Sequence, residues 1–260
     1  MTPRLVKQLL YGAFYFLIIF IIFWLIYILF LKPAPTCSDG HRNQNEIGID
    51  CGGFCPSCEL TQLKNLAGDW ALVLPAGENG ITLLAEITNP NLNFGAESFS
   101  YQFKIIGPFG LLKTVGGQSS IYSGEIKYLI ATAVPVNPQD AKRVELEISA
   151  SSTVWQSQEK MPKPDLANPS HQTVISNGSV IVKGIIRNKS PLLISQTKII
   201  ALIYNFDGSQ ILNASYTTLA GLKGDEQRAF SIGFPKGDWT KKIDTNRTKI
   251  FIEPQITKLQ

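Results

Sequence analysis

The residues whose types and spacing suit chemistry are gathered in one stretch. Cys37, Cys51, Cys55 and Cys58 are the four cysteines of the chain and fall within 22 residues. Such a set can pair as disulfides, hold zinc as thiolates, or exchange disulfides through a C-x-x-C pair. Between the first two cysteines lie Asp39, Asn43, Asn45, Glu46 and Asp50. Hard oxygen donors on a glycine-bearing loop suit calcium, and Asp39, Asn43, Glu46 and Asp50 are the candidate ligands. The spacing is not that of an EF-hand. In the competing reading the same side chains cap turns and accept backbone N–H bonds. The cysteines themselves run as one residue, a gap of thirteen, then C-x3-C-x2-C. That order departs from the paired knuckles of zinc sites, and disulfides in an oxidising compartment are expected, with every pairing left open.

Elsewhere chemistry is sparse. His41 and His171 are the two histidines, and neither is flanked by a G-x-S-x-G elbow. Trp70, Trp155 and Trp239 could form a sugar platform, although tryptophans at strand ends are more often core or rim. Asn177, Asn188, Asn213 and Asn246 open Asn-x-Ser/Thr sequons. Net charge is +4 with the basic residues scattered, so nucleic acid is not an expected partner.

These residues need elements to carry them. Residues 9–31 form an uncharged run of 23, LLYGAFYFLIIFIIFWLIYILFL. As a helix it would span about 34 Å, enough to cross a bilayer core of ~30 Å. It is longer than a signal-peptide core and lacks a cleavage box, so an uncleaved signal-anchor is expected. Arg4 and Lys7 favour a cytoplasmic N-terminus. Beyond the cysteines come short alternating runs such as ITLLAEIT, SYQFKII and RVELEISA, punctuated by Asn-Pro-Asn, Gly-Pro and Asp-Gly. Repeated short strands with that punctuation read as β-sandwiches.

The expected fold is therefore mainly β, with a single N-terminal transmembrane helix, a short disulfide-rich collar and two tandem β-sandwich (Ig-like) domains. Its parts are a cytoplasmic tail (1–8), the span (9–31), spacer and collar (32–61), sandwich 1 (62–155), a proline-bearing linker (156–169) and sandwich 2 (170–260). The halves overlay as a duplication. Ile87-Thr88-Asn89 falls on Ile186-Arg187-Asn188; after one inserted residue, Gly124-Glu125 falls on Gly224-Asp225, Ile130 on Phe230 and Pro135 on Pro235.

Two resemblances add to this. The pattern Cys37-x-Asp39-Gly40-x-x-Asn43-x-x-Glu46-x-Gly48-x-Asp50-Cys51-Gly52-Gly53-x-Cys55-x-x-Cys58 resembles a short Cys-rich segment of secreted and surface proteins, often found beside β-sandwich modules. It implies an extracytoplasmic location and disulfides. Residues 185–234 resemble the FxLYD family of surface β-sandwich domains, through Asn188, Ile203-Tyr204-Asn205, Gly208, Gly224-Asp225 and Phe230; Ala201 stands for the motif's Phe and Asn205 for its Asp. Ile87-Thr88-Asn89-Pro90-Asn91 is similar to the edge of water-stress and late-embryogenesis-type sandwiches. Neither family implies a catalytic mechanism.

The function expected is that of a single-pass envelope protein, held in the lipid bilayer by residues 9–31. Residues 32–260 would be extracytoplasmic and act as a non-enzymatic binding, assembly or spacer module for an envelope protein or polymer. The alternatives are a membrane-anchored carbohydrate-binding protein or hydrolase with an interdomain cleft, and a calcium-dependent adhesin.

Overall fold

The computed structural model describes residues 3–28, 36–43, 45–77 and 80–256, in two compact units, Met1–Leu63 and Lys64–Gln260. Residues 29–31 of the expected span and 32–35 of the expected spacer lie outside the described residues.

In the first unit, α1 (Pro3–Ile26) starts ahead of the apolar run. Pro3 opens it, where a missing N–H costs nothing. Its stretch Lys7–Ile26 is long and apolar enough to cross a membrane, and none of it is buried in protein. The collar comes next, ending in the single-turn helix α2 (Cys58–Thr61), whose first turn is capped by the Ser57 hydroxyl accepting from Glu59 N.

The second unit holds thirteen described strands, all paired antiparallel. Sandwich 1 comprises β1 (Ala67–Pro75), β2 (Ile81–Thr88), β3 (Phe94–Gly107), β4 (Gly110–Ile121), β5 (Ile126–Val134), β6 (Arg143–Ile148) and β7 (Val154–Ser157). Its sheets run β1-β2-β5 and β4-β3-β6, with β7 also on β3. Sandwich 2 comprises β8 (Leu166–Ser176), β9 (Ser179–Asn188), β10 (Ile194–Tyr204), β11 (Ile211–Leu222), β12 (Gln227–Phe234) and β13 (Lys249–Ile256). Its sheets run β8-β9-β12 and β11-β10-β13, the same order shifted along the chain. Period-two alternation builds both cores. Ile81, Leu83, Ala85 and Ile87 face Phe99, Phe103 and Ile105 in the first; Val180, Val182 and Ile186 face Ile199, Ala201 and Ile203 in the second.

Some details depart from the pattern reading. The pair Gly116-Gly117, which by type reads as a turn, lies inside β4, opposite Gln102 and Tyr101. The Tyr101 ring covers Gly117 so closely that a Cβ there would meet its hydroxyl oxygen at 2.6 Å, an aromatic filling the gap a strand glycine leaves. The polar stretch between the sandwiches is short: β7 ends at Ser157 and β8 begins at Leu166. It is also tied down, with Met161 N donating to Ser157 O and Lys163 Nζ paired with Glu125 at 2.7 Å.

The repeat register also shifts by one. Asn89 N donates to Glu125 O, and Asn188 N to Glu226 O; Glu125 accepts from Tyr122 N as Glu226 accepts from Lys223 N. Gly124 and Asp225 share φ values of 60° and 58°. Glu125 therefore matches Glu226, and Leu129 matches Phe230, both in their cores. Matching Ile130 to Phe230 would put an outward residue on an inward one, because a one-residue slip swaps the faces.

The equivalent asparagines close each repeat. The buried Asn89 amide donates to Phe94 O at 2.7 Å and Tyr122 O at 2.9 Å. Asn188 donates to Leu192 O at 2.7 Å and Lys223 O at 3.0 Å. Alanine at either position strands buried carbonyls, so Asn89→Ala and Asn188→Ala should each lower unfolding free energy by about 2–4 kcal/mol in denaturant titration.

Candidate functional site

The collar resolves the cysteine chemistry. Cys37 pairs with Cys55 and Cys51 with Cys58, leaving no free cysteine. With every thiol oxidised there is no thiolate for zinc. Cys55 and Cys58 belong to different bridges, so the C-x-x-C spacing is not a redox pair. The group formed by Cys37, Glu46 and Cys55 likewise offers disulfide sulfur, not thiolate. Two of the loop glycines are required by close approach: a Cβ on Gly53 (φ 64°) would meet Asn45 O at 2.2 Å, and one on Gly48 would meet Cys51 Sγ at 2.8 Å.

The four candidate calcium ligands share one small loop, where the three carboxylates accept backbone N–H bonds and the Asn43 amide donates to Asp39. Asp39 accepts from Thr36 N, His41 N and the Asn43 amide. The Asn43 amide, then the His41 and Thr36 N–H groups, hold its carboxyl below the usual carboxylate range. Both oxygens of Asp50 accept from Gly40 N. Buried Glu46 accepts from Asn43 N and Asp50 N, and its other oxygen lies 3.2 Å from Cys55 Sγ. For Asp39, Asp50 and one oxygen of Glu46 this is a turn-capping network, with lone pairs directed at amides; Asn43 Oδ1 is buried without a hydrogen-bond partner. A calcium chelator is expected to leave the thermal transition of the full-length protein unchanged; a calcium-dependent rise in melting temperature would contradict that.

The faces of the two sandwiches meet in an apolar layer. Leu74, Leu84, Tyr128 and Ile130 of sandwich 1 pack with Ile200, Leu202 and Ala214 of sandwich 2, and the Tyr128 and Phe251 rings are centred 4.4 Å apart. Asn213 ties the halves by donating to Pro75 O at 3.0 Å. At the margin, Glu86 accepts from Trp70 Nε1 and from the Tyr128 hydroxyl; burial, then Glu86, pushes the Tyr128 phenol up. Within the joint, Lys127 Nζ lies 3.4 Å from Glu253 Oε2, the two side chains only 8% and 10% exposed. Glu253 Oε1 is buried without a donor. Burial raises the Glu253 carboxyl above its ordinary value, against the pull of Lys127 and Lys198. Burial also lowers the Lys198 amine, which sits 4.5 Å over the Tyr216 ring.

The remaining candidates are dispersed. His41 hydrogen-bonds its ring to Asp39 O; His171 bridges Asn168 and Thr248 O. Trp70 belongs to the inter-sandwich layer, Trp155 packs on core 1 and Trp239 lies in core 2, so the three make no common platform. Of the sequon asparagines, Asn188 and Asn213 are fully buried in structural hydrogen bonds.

A groove that sequence reading did not anticipate runs along sandwich 1, between edge strands β1 and β6. It has one cavity of about 400 Å³ between Ala71–Val73 and Lys142–Val144. A second, of about 270 Å³, is lined by Leu66, Gly68, Leu146 and Ile148. Its floor residues Ala71, Val73, Leu146 and Ile148 pack on core 1 yet are only partly buried.

No family model and no curated protein matches this chain. Among solved structures, red sea bream transglutaminase aligns with 74% of the chain at 10% identity and a TM-score of 0.23. The alignment covers 31% of that enzyme, so this chain spans less than a third of its length. A likeness of that size carries no argument about fold or activity.

Proposed function

We propose that this chain is a single-pass membrane-anchored protein of the cell envelope. Its N-terminus would be cytoplasmic, and the collar and sandwiches would lie outside as a non-enzymatic binding, assembly or spacer module. The observation that carries the reading is α1: Lys7–Ile26 is strongly apolar and none of it is covered by protein. A lipid bilayer satisfies such a surface. The two disulfides support an oxidising location for the collar and the sandwiches beyond it. The apolar layer between the sandwiches supports a closely packed pair in place of a cleft enzyme, since the facing sheets are filled with Leu, Ile and aromatic side chains.

The test is fractionation with protease protection. The protein should stay with membranes through alkaline carbonate extraction, and protease added outside intact cells should reach residues 64–256. Release by carbonate would sink the anchor; full protection of the sandwiches would sink the orientation.

A further inference from the structure

We infer that the collar is itself a membrane contact, with Ile47, Ile49 and Phe54 seated in the lipid headgroup layer beside the anchor. This rests on the anchor reading and adds a second, apolar contact with the same bilayer.

The collar is built inside out. Ile47, Ile49 and Phe54 are 73%, 63% and 83% exposed, while the neighbouring Glu46 is 4% exposed and turned inward with Cys51 and Cys55. The three apolar side chains belong to one small part of the loop. A bridge joins Gly48 to Cys51, so Ile49 stands on the turn between them, and Ile47 and Gly52 flank it. Ile47 lies against Gly52, where an added Cβ would meet the Ile47 Cβ at 2.7 Å, and Phe54 follows two residues later. Single exposed apolar residues are ordinary on a protein in water. Three within residues 47–54, over an interior of sulfur and carboxylate, form a patch that calls for an apolar surrounding.

The covalent tether selects the occupant. The uncharged run ends at Leu31, and residues 32–36 separate it from Cys37. A chain gains at most about 3.6 Å per residue, so Cys37 stands within ~22 Å of the end of the run. The Cys37–Cys55 bridge then carries the loop back to its own start, with the two Cα atoms 5.5 Å apart. Phe54 is the residue before Cys55, so the disulfide returns the apolar turn to the membrane end of the collar. Headgroups extend roughly 5–7 Å beyond the hydrocarbon on each side. Lipid is therefore the apolar phase held alongside the patch at high effective concentration, and any separate partner must compete with it.

The backbone permits the contact. Ile47 N and Gly48 N donate to Cys51 O, Gly52 N to Pro56 O and Cys55 N to Gly52 O, and Asp50 N donates to Glu46. Amides bonded within the loop enter a water-poor layer without stranding donors. The side chains that make the contact are uncharged, so a zwitterionic bilayer suffices.

The test uses the full-length protein in phosphatidylcholine nanodiscs, with p-benzoylphenylalanine in place of Phe54. On illumination the probe should bond to lipid acyl chains, read as added mass on the collar peptide. Ile47→Ser with Ile49→Ser, two exposed changes that spare the disulfides, should lower that adduct about three-fold or more, with both bridges confirmed by non-reducing mass. A probe that labels no lipid overturns the inference. A lipid adduct that the two serines leave unchanged also overturns it, because it reports nearness through the tether alone. Labelling of residues 64–256 or of a second copy in place of lipid overturns it as well, since protein then covers the patch. Retention in the disc reads the anchor separately. A chain held in the disc with no lipid on its collar refutes this contact alone, and a chain that never enters the disc refutes the anchor and this contact with it.

Discussion

Replacing Lys127 by methionine should destabilise the sandwich pair by about 3–5 kcal/mol near neutral pH, the cost of leaving a buried carboxylate uncompensated. Lys127 reaches from β5 to Glu253 on β13 at 3.4 Å. The other Glu253 oxygen already lacks a donor, so no second bond takes up the loss. Lys198 is opposite Glu253 in the ladder, but its amine is placed over the Tyr216 ring.

The pH dependence is set by the direction of the Glu253 shift. Burial raises its folded pKa above the ordinary 4.5, so the folded state holds its proton to higher pH than the unfolded chain does. Its contribution therefore favours folding at acid pH and is lost as pH rises from the unfolded value through the folded one. Removing Lys127 removes the main opposing pull and extends that window upward. Wild type and Lys127→Met should accordingly converge near pH 4 and diverge as pH rises. The double variant Lys127→Met with Glu253→Leu should return to within about 1 kcal/mol of wild type, or exceed it, because the apolar layer around the pair accepts matched apolar side chains. Denaturant unfolding followed by tryptophan fluorescence reads this, with Trp70 reporting from the layer itself. A single variant as stable as wild type, or a loss that ignores pH, would show that the pair is solvated and not a buried lock.

How much of this was legible in the sequence depends on the range of the interaction. Alternation placed β2, β3 and β6 because period two is a local property of the chain. The joint between the sandwiches also left a signal. ITLLAEIT, YLIATAV and KIIALIY are apolar on both faces, the mark of a sheet covered on two sides. Leu84 and Leu202 meet in that joint, where the alternative reading placed an interdomain cleft. Gly116-Gly117 misled because glycine pairs read as turns, and what holds them in β4 is a tyrosine ring on the neighbouring strand. The disulfide partners were hidden for a different reason, since spacing permits every pairing and only the fold of the loop brings Cys37 to Cys55. The groove was the least legible feature. It lies between β1 and β6, strands of different sheets, and periodicity along the chain does not show which strand edges come together.

The collar tests how far a loop can fold around sulfur alone. Cys37→Ser with Cys55→Ser is expected to unfold it while leaving the sandwich transition in place. Ile47, Ile49 and Phe54 are its large apolar residues and all are exposed, Phe54 at 83%. The interior is instead Cys51, Cys55 and Glu46, so there is no hydrophobic core to hold the loop once a bridge is gone. The Cys37–Cys55 bridge closes 18 residues, for which the chain-entropy estimate is ~3 kcal/mol. The same bridge holds Cys55 Sγ against Glu46, whose other oxygen fixes the turns at Asn43 and Asp50; the two losses therefore fall together. Trypsin gives the readout at Arg42, whose Nε donates to Glu46 O in the folded loop. Cleavage there should be at least about ten-fold faster in the double serine variant, as expected when a local unit opens freely. The thermal transition of Lys64–Gln260, a compact unit by itself, should not move. Unchanged resistance at Arg42 would mean that the capping network alone folds the loop. A shifted sandwich transition would mean that the collar and the sandwiches melt as one.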